Sequence, residues 1–178
     1  MLDPEHAKAI IKELPPFILA AGIFVDQSPA EINTICRYCN LQIAQLHSEK
    51  YTSQQARAIK TATVIKVFRP AENFEVEEVF EFAKESGTNT FLFDAYRQGV
   101  PGGTGETIKT SLATRIFKAL GRSYYTILAG GLNETNVSNA IRQTLPYAVD
   151  TASGVENIPG IKDKAKMNAF IQAVRKTP

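Results

Sequence analysis

Only two cysteines, Cys36 and Cys39, occur in the 178 residues. That excludes a disulfide scaffold and makes a reducing, cytoplasmic setting the expected one. Lysine and arginine exceed aspartate and glutamate by only 20 − 18 = 2 charges, too small a surplus to argue for nucleic acid as a partner. No apolar run approaches the roughly 20 residues that a membrane span requires, so no membrane partner is expected. The opening MLDPEHAKAI has no charged segment followed by an apolar one and does not read as a secretory signal. What is present is ordinary for a globular chain. Hydrophobic residues make up 44%, charged residues 21% and aromatics 9%, with length for one domain, residues 1–178, and too little for two comfortable ones.

Helical and strand patterns alternate from end to end. Asp3 and Pro4 open a helix to about Leu14, and Pro15-Pro16 end it. An apolar run from Phe17 to Val25 has strand length. Ser28-Pro29-Ala30-Glu31 is a capping box that starts a helix through about Cys39. Strands then follow at residues 42–46, 63–68, 90–93, 125–129 and 147–151. Helices fall at 53–60, 76–85, 108–120, 133–145 and 163–175, and a long loop covers 95–106. Short strands that are apolar on both faces and separated by helices indicate a parallel sheet covered by helices. A doubly wound open sheet accepts six such strands. A closed barrel needs eight strands and typically about 250 residues, and an incomplete one leaves two sheet edges unpaired.

The residues just past the strands carry the chemistry, because both architectures place their sites there. Gly130 and Gly131 follow the fifth strand, and Ser153 and Gly154 follow the sixth. Small residues in two such loops point to a phosphate clamp, although tight turns alone could require the glycines. Asp94 ends the fourth strand. Burial there would raise its pKa and suit it to donate a proton; capping a loop or pairing with Arg97 is the alternative. Gly103 and Gly105 lie in the long loop, as a lid or a second anion nest. His47 ends the second strand at the same rim, for ligand contact or for a bond to a neighbouring loop. Asp26 could face that rim or cap the next helix. Lys66 inside the third strand is costly unless paired, and His6 is expected in solvent. Cys36-x-x-Cys39 has thioredoxin-like spacing but falls late in a helix, so two packing residues are the better reading. Ligands for a zinc site are scarce.

Read in order, ELPPFILAAGIFVDQSP, IAQLHSEK, VIKVFRP, FLFDA with GGTGETI, ILAGGLNETNV and AVDTASGVENIPGIKD resemble phosphoribosylanthranilate isomerase, an enzyme family of tryptophan biosynthesis. The resemblance runs along nearly the whole chain and implies an α/β fold of the (β/α)8 TIM-barrel family, here N-terminally truncated to about six βα units. It implies an Amadori rearrangement of N-(5-phosphoribosyl)anthranilate to the corresponding 1-deoxyribulose phosphate, without metal or organic cofactor. By resemblance Asp94 takes the place of the general acid that protonates the furanose ring oxygen. Gly130, Gly131, Ser153 and Gly154 bind the phosphate with help from Gly103 and Gly105, and His47 matches the rim histidine.

The sequence also departs from the family. Its general base, a cysteine in a Lys-x-Cys-Gly motif on the first strand, has no counterpart, since Cys36 and Cys39 are helical. The second strand and its arginine-bearing loop are missing too, so the chain is expected to be impaired. Ser48 replaces a usual glycine and Ala152 a common serine. The alternative is a non-catalytic phosphosugar-binding or assembly protein, with open edges paired in a homodimer. A pentose-phosphate epimerase would need carboxylate pairs and metal-ligating histidines that are lacking here.

Overall fold

The computed structural model describes residues 2–94 and 110–178. Two compact units divide the chain, Met1–Val67 with Glu77–Thr90, and Phe68–Val76 with Phe91–Pro178.

The first unit opens with α1 (Pro4–Lys12), where the Asp3 carboxylate accepts the His6 amide and proline fills the first turn. β1 (Ala21–Phe24) is followed by α2 (Pro29–Cys39), β2 (Ile43–Leu46), α3 (Ser53–Ala58), β3 (Thr63–Phe68) and α4 (Glu77–Ser86). The capping box holds: Ser28 N–H donates to Glu31 at 2.7 Å, and Glu31 N–H donates back to the Ser28 hydroxyl. β1 pairs with β2 in parallel, Ala21 opposite Ile43, and β2 with β3, Ile43 opposite Thr63. Helices carry each crossover, as parallel pairing requires. The first strand is shorter than the apolar run predicted. Ile18 N–H turns back to the Pro15 carbonyl, and Phe17 stands 95% exposed. The two prolines, which lack amides and fix φ, delay the strand to Ala21.

Ile32, Cys36, Ala44 and Leu46 are at the buried heart of this unit. Both cysteines are free and buried, and burial pushes both thiols up, which suits packing residues better than reactive ones. Lys66 is only 3% exposed, and its ammonium donates to the Ser48 carbonyl at 2.8 Å. His6 is exposed beside Asp3, and the exposed Asp26 leaves the capping of α2 to Ser28. Asn33 ties the exit of α3 to the entry of β3: its carbonyl oxygen accepts the Lys60 and Thr61 amides at 2.8 and 3.1 Å, and its amide donates to the Ala58 carbonyl. Asn33→Ala removes these bonds at a partly exposed position, and thermal unfolding should show a loss of about 0.5–1.5 kcal/mol.

The second unit contains β4 (Thr90–Phe93) from its second residue on, α5 (Thr110–Leu120), β5 (Tyr125–Leu128), α6 (Val137–Thr144) and β6 (Ala148–Val149). β7 (Glu156–Ile158), β8 (Ile161–Lys162) and α7 (Lys164–Arg175) complete it. β4 lies beside β5, and β5 pairs in parallel with β6, Ile127 opposite Ala148. An aromatic cluster fixes the end of β4: Phe93 stacks on Phe68 at 5.9 Å and meets Phe117 of α5 at 5.3 Å. The β7–β8 hairpin, antiparallel with Glu156 opposite Lys162, was not foreseen. Its strands of three and two residues are too short to show a period of two. None of the described helices is long and apolar enough to cross a membrane.

Candidate functional site

Three strand ends of the second unit present Asp94, Gly130 and Asp150 one residue or two beyond β4, β5 and β6. Backbone bonds set that rim: Asp94 N–H donates to the Phe68 carbonyl at 3.0 Å, Ala129 N–H to Phe93 at 2.9 Å and Asp150 N–H to Leu128 at 2.8 Å. A strand's apolar residues are thus anchored while the next residue projects past the sheet.

After β5 the chain reverses at Gly130 and Gly131, with φ of 87° and 62°, a backbone that side-chain-bearing residues rarely adopt. The turn is knitted from its own side chains. Asn136 donates to the Gly131 carbonyl at 3.0 Å and accepts the Asn133 amide, while Asn133 accepts from Thr135 N–H. Helix α6 therefore starts at Val137, four residues later than the sequence pattern predicted. Asparagine side chains satisfy the turn in place of helical bonds.

The loop after β6 locks onto this turn. Thr151 Oγ1 donates to the Leu132 carbonyl at 2.6 Å. Gly154 sits against the same carbonyl so closely that a Cβ there would lie 1.9 Å from the oxygen. The consequence is electrostatic. The Gly131 and Leu132 carbonyls are consumed by protein donors. Among the described residues, none of the backbone bonds outside helices and strands uses the amides of Gly130, Gly131, Ser153 or Gly154. A cradle with its acceptors occupied and its donors open suits an anion. Gly103 and Gly105, and with them Arg97, lie outside the described residues.

The family model for N-(5'-phosphoribosyl)anthranilate (PRA) isomerase matches residues 1–173. An N-(5'-phosphoribosyl)anthranilate isomerase of Pelodictyon phaeoclathratiforme is 70% identical over 176 residues, covering 99% of this chain and 82% of the relative. The chain belongs to the PRA isomerase family. The solved phosphoribosyl anthranilate isomerase of Thermotoga maritima superposes with a TM-score of 0.84 at 32% identity, covering 98% of this chain and 81% of that one. A further solved isomerase, in complex with reduced 1-(o-carboxyphenylamino)-1-deoxyribulose 5-phosphate, matches with a TM-score of 0.79 at 31% identity, over 98% of this chain and 80% of its own. The α/β fold of parallel strands with helical crossovers is that of the PRA isomerases.

Within the PRA isomerase frame, the structure brings Gly130, Gly131, Ser153 and Gly154 into one cradle and sets Asp94 on the same rim. The Asp94 side chain is 14% exposed, and its Oδ2 lies 3.8 Å from Nε of Arg69. His47 belongs to the first unit, half-buried at the end of β2. Its Nε2 lies 2.5 Å from the Gln45 side-chain nitrogen, which donates to it when the ring proton sits on Nδ1.

Asp150 was missed. It keeps an open edge to solvent, yet its surroundings are dense enough that burial pushes its carboxyl up; the negative charge of Asp94 adds to this and Lys162 opposes it. The signal was available, since Asp150 holds the same place after β6 that Asp94 holds after β4. A folded-state pKa raised above the unfolded value stabilises the fold below the unfolded value and loses that contribution as pH rises through the folded one. Asp150→Asn is therefore expected to raise the melting temperature at pH 7 and to leave it nearly unchanged below about pH 4, as followed by thermal unfolding across pH.

Proposed function

We propose that this chain is a phosphoribosylanthranilate isomerase of tryptophan biosynthesis, acting on a small phosphorylated sugar without a cofactor or metal. The observation that carries this reading is the interlocked cradle. Two loops closed on the Leu132 carbonyl offer open amides beside an acid at the end of the neighbouring strand. The phosphate of N-(5'-phosphoribosyl)anthranilate sits on the amides of Gly130, Gly131, Ser153 and Gly154. It is a dianion near neutral pH, and fixed backbone donors hold it without the side-chain ordering that a lysine would cost.

With the phosphate fixed, the ribose ring lies toward Asp94. Its carboxyl gives a proton to the furanose ring oxygen as the bond from that oxygen to C1 breaks. The C1 end becomes an iminium with the anthranilate nitrogen. Loss of the C2 proton to water neutralises it to the enamine, which tautomerises to the 1-deoxyribulose. Arg69 is placed to hold the carboxylate left on Asp94, ready for reprotonation. None of the residues named here is assigned to removing the C2 proton.

The test is incubation of the purified chain with N-(5'-phosphoribosyl)anthranilate, followed by the loss of its fluorescence, alongside titration with a reduced, non-reacting product analogue. Binding with turnover supports the isomerase. Binding without turnover selects the phosphosugar-binding alternative, and absence of both sinks the reading. Light scattering in the same preparation distinguishes a monomer from the homodimer that the alternative favours.

A further inference from the structure

The β7–β8 hairpin ends on Lys162, whose ammonium reaches back to the loop after β6. Nζ donates to the Ala152 carbonyl at 2.7 Å and to the Glu156 carboxylate at 2.7 Å. Ala152 directly precedes Ser153 and Gly154. The hairpin is itself anchored: Asp163 N–H donates to the Val155 carbonyl at 2.8 Å, and Lys166 Nζ to the Glu156 carbonyl at 2.7 Å. Asp163 also caps α7 through the Lys166 amide. One ammonium thus ties the anion loop to a hairpin that is fastened to the last helix.

We propose that Lys162 is a positioning residue for phosphate binding, one that fixes the peptide ahead of Ser153 so that the open amides keep their direction. The inference rests on the phosphate reading above. Ala152, Ser153 and Gly154 are small and have little side chain to pack, so beyond the Thr151 bond to Leu132 their order comes from bonds made by others. Lys162 is 44% exposed along its side chain, where an ion pair adds little to stability, roughly 0–1 kcal/mol. A bond from that ammonium to the loop backbone instead removes ordering that the ligand would otherwise have to supply.

Titration with inorganic phosphate and with ribose 5-phosphate, on the whole chain, tests this. Lys162→Met should weaken both ligands by roughly ten-fold with little change in melting temperature. In turnover the loss should appear in KM and not in kcat. Lys162→Arg keeps a long cation with several donors and should recover most of the affinity. Glu156→Ala separates positioning from a simple field effect. It removes a negative charge near the site and leaves Lys162 unneutralised, so a field effect tightens phosphate binding. Positioning predicts weaker binding, because the ammonium loses its second anchor. Wild-type affinity in Lys162→Met, or unchanged or tighter binding in Glu156→Ala, overturns the inference. Should Lys162→Met fail to fold, the Arg and Glu156 variants decide alone. Absence of phosphate binding by the wild-type chain overturns the phosphate reading itself, and this inference with it.

Discussion

Asp94→Asn is expected to lower conversion of N-(5'-phosphoribosyl)anthranilate by about 10²–10⁴-fold, the usual contribution of a positioned general acid. Affinity for a non-reacting phosphorylated analogue should stay within a few-fold of wild type. The amide matches the carboxylate in shape, keeps an oxygen toward Arg69 and leaves the bond from the residue 94 amide to Phe68 intact. It has no acidic proton to give. Steady-state fluorescence assays give the rate, and calorimetric titration gives the affinity. Parallel loss of both would show that Asp94 holds the rim rather than the reaction. If Asp94→Asn is mild and Asp150→Asn severe, the proton comes from Asp150. That outcome is physically open because Asp150 is the carboxyl whose protonated form burial and the Asp94 charge favour. The two carboxyls stand on one rim and interact, so the pH profile of the wild-type chain reports the pair and not either residue alone.

How much of this was legible beforehand follows from how local each feature is. β3 falls on residues 63–68 as the strand pattern indicated, and α2 starts where its capping box placed it. Asp94 and the four cradle residues stood out as candidates because each lies within a few residues of the end of an apolar strand, a signal contained in a short stretch of chain. Thr151, Arg69 and Lys162 were not assigned roles, because each acts on a distant partner. Thr151 reaches Leu132, 19 residues away, Arg69 faces Asp94, and Lys162 bonds Ala152 across the hairpin. No pattern along the chain encodes such pairs. The late start of α6 has a similar cause. The helix was expected to begin at Asn133, but its side chain closes a turn on Thr135 instead, and only the reversal at Gly130 and Gly131 shows why that turn is needed.

The cradle depends on the approach of two loops to a single carbonyl, and Gly154→Ala attacks that approach directly. The added methyl would stand 1.9 Å from the Leu132 oxygen, 2.8 Å from Thr151 Oγ1 and 2.9 Å from the Leu132 carbonyl carbon. Two of those atoms are backbone and cannot swing aside as a side-chain tip would. Leu132 is 1% exposed, so its peptide is held from behind by packing. The loops must part by more than an ångström, which breaks the Thr151 bond and turns the Ser153 and Gly154 amides away from the anion. Overpacking of this kind costs about 1–3 kcal/mol, and misplacement of binding groups by about 1 Å can cost on the order of 10²-fold. Chemical denaturation should show the first and phosphate titration the second. Gly87→Ala is the control: φ is 78° there and nothing lies within 4 Å of the added methyl. It should cost stability through backbone strain alone and leave phosphate affinity unchanged. Equal loss of affinity in both variants would mean that phosphate binding follows global stability, and wild-type affinity in Gly154→Ala would mean that the phosphate lies elsewhere. Loss confined to Gly154→Ala puts the phosphate where the two loops meet.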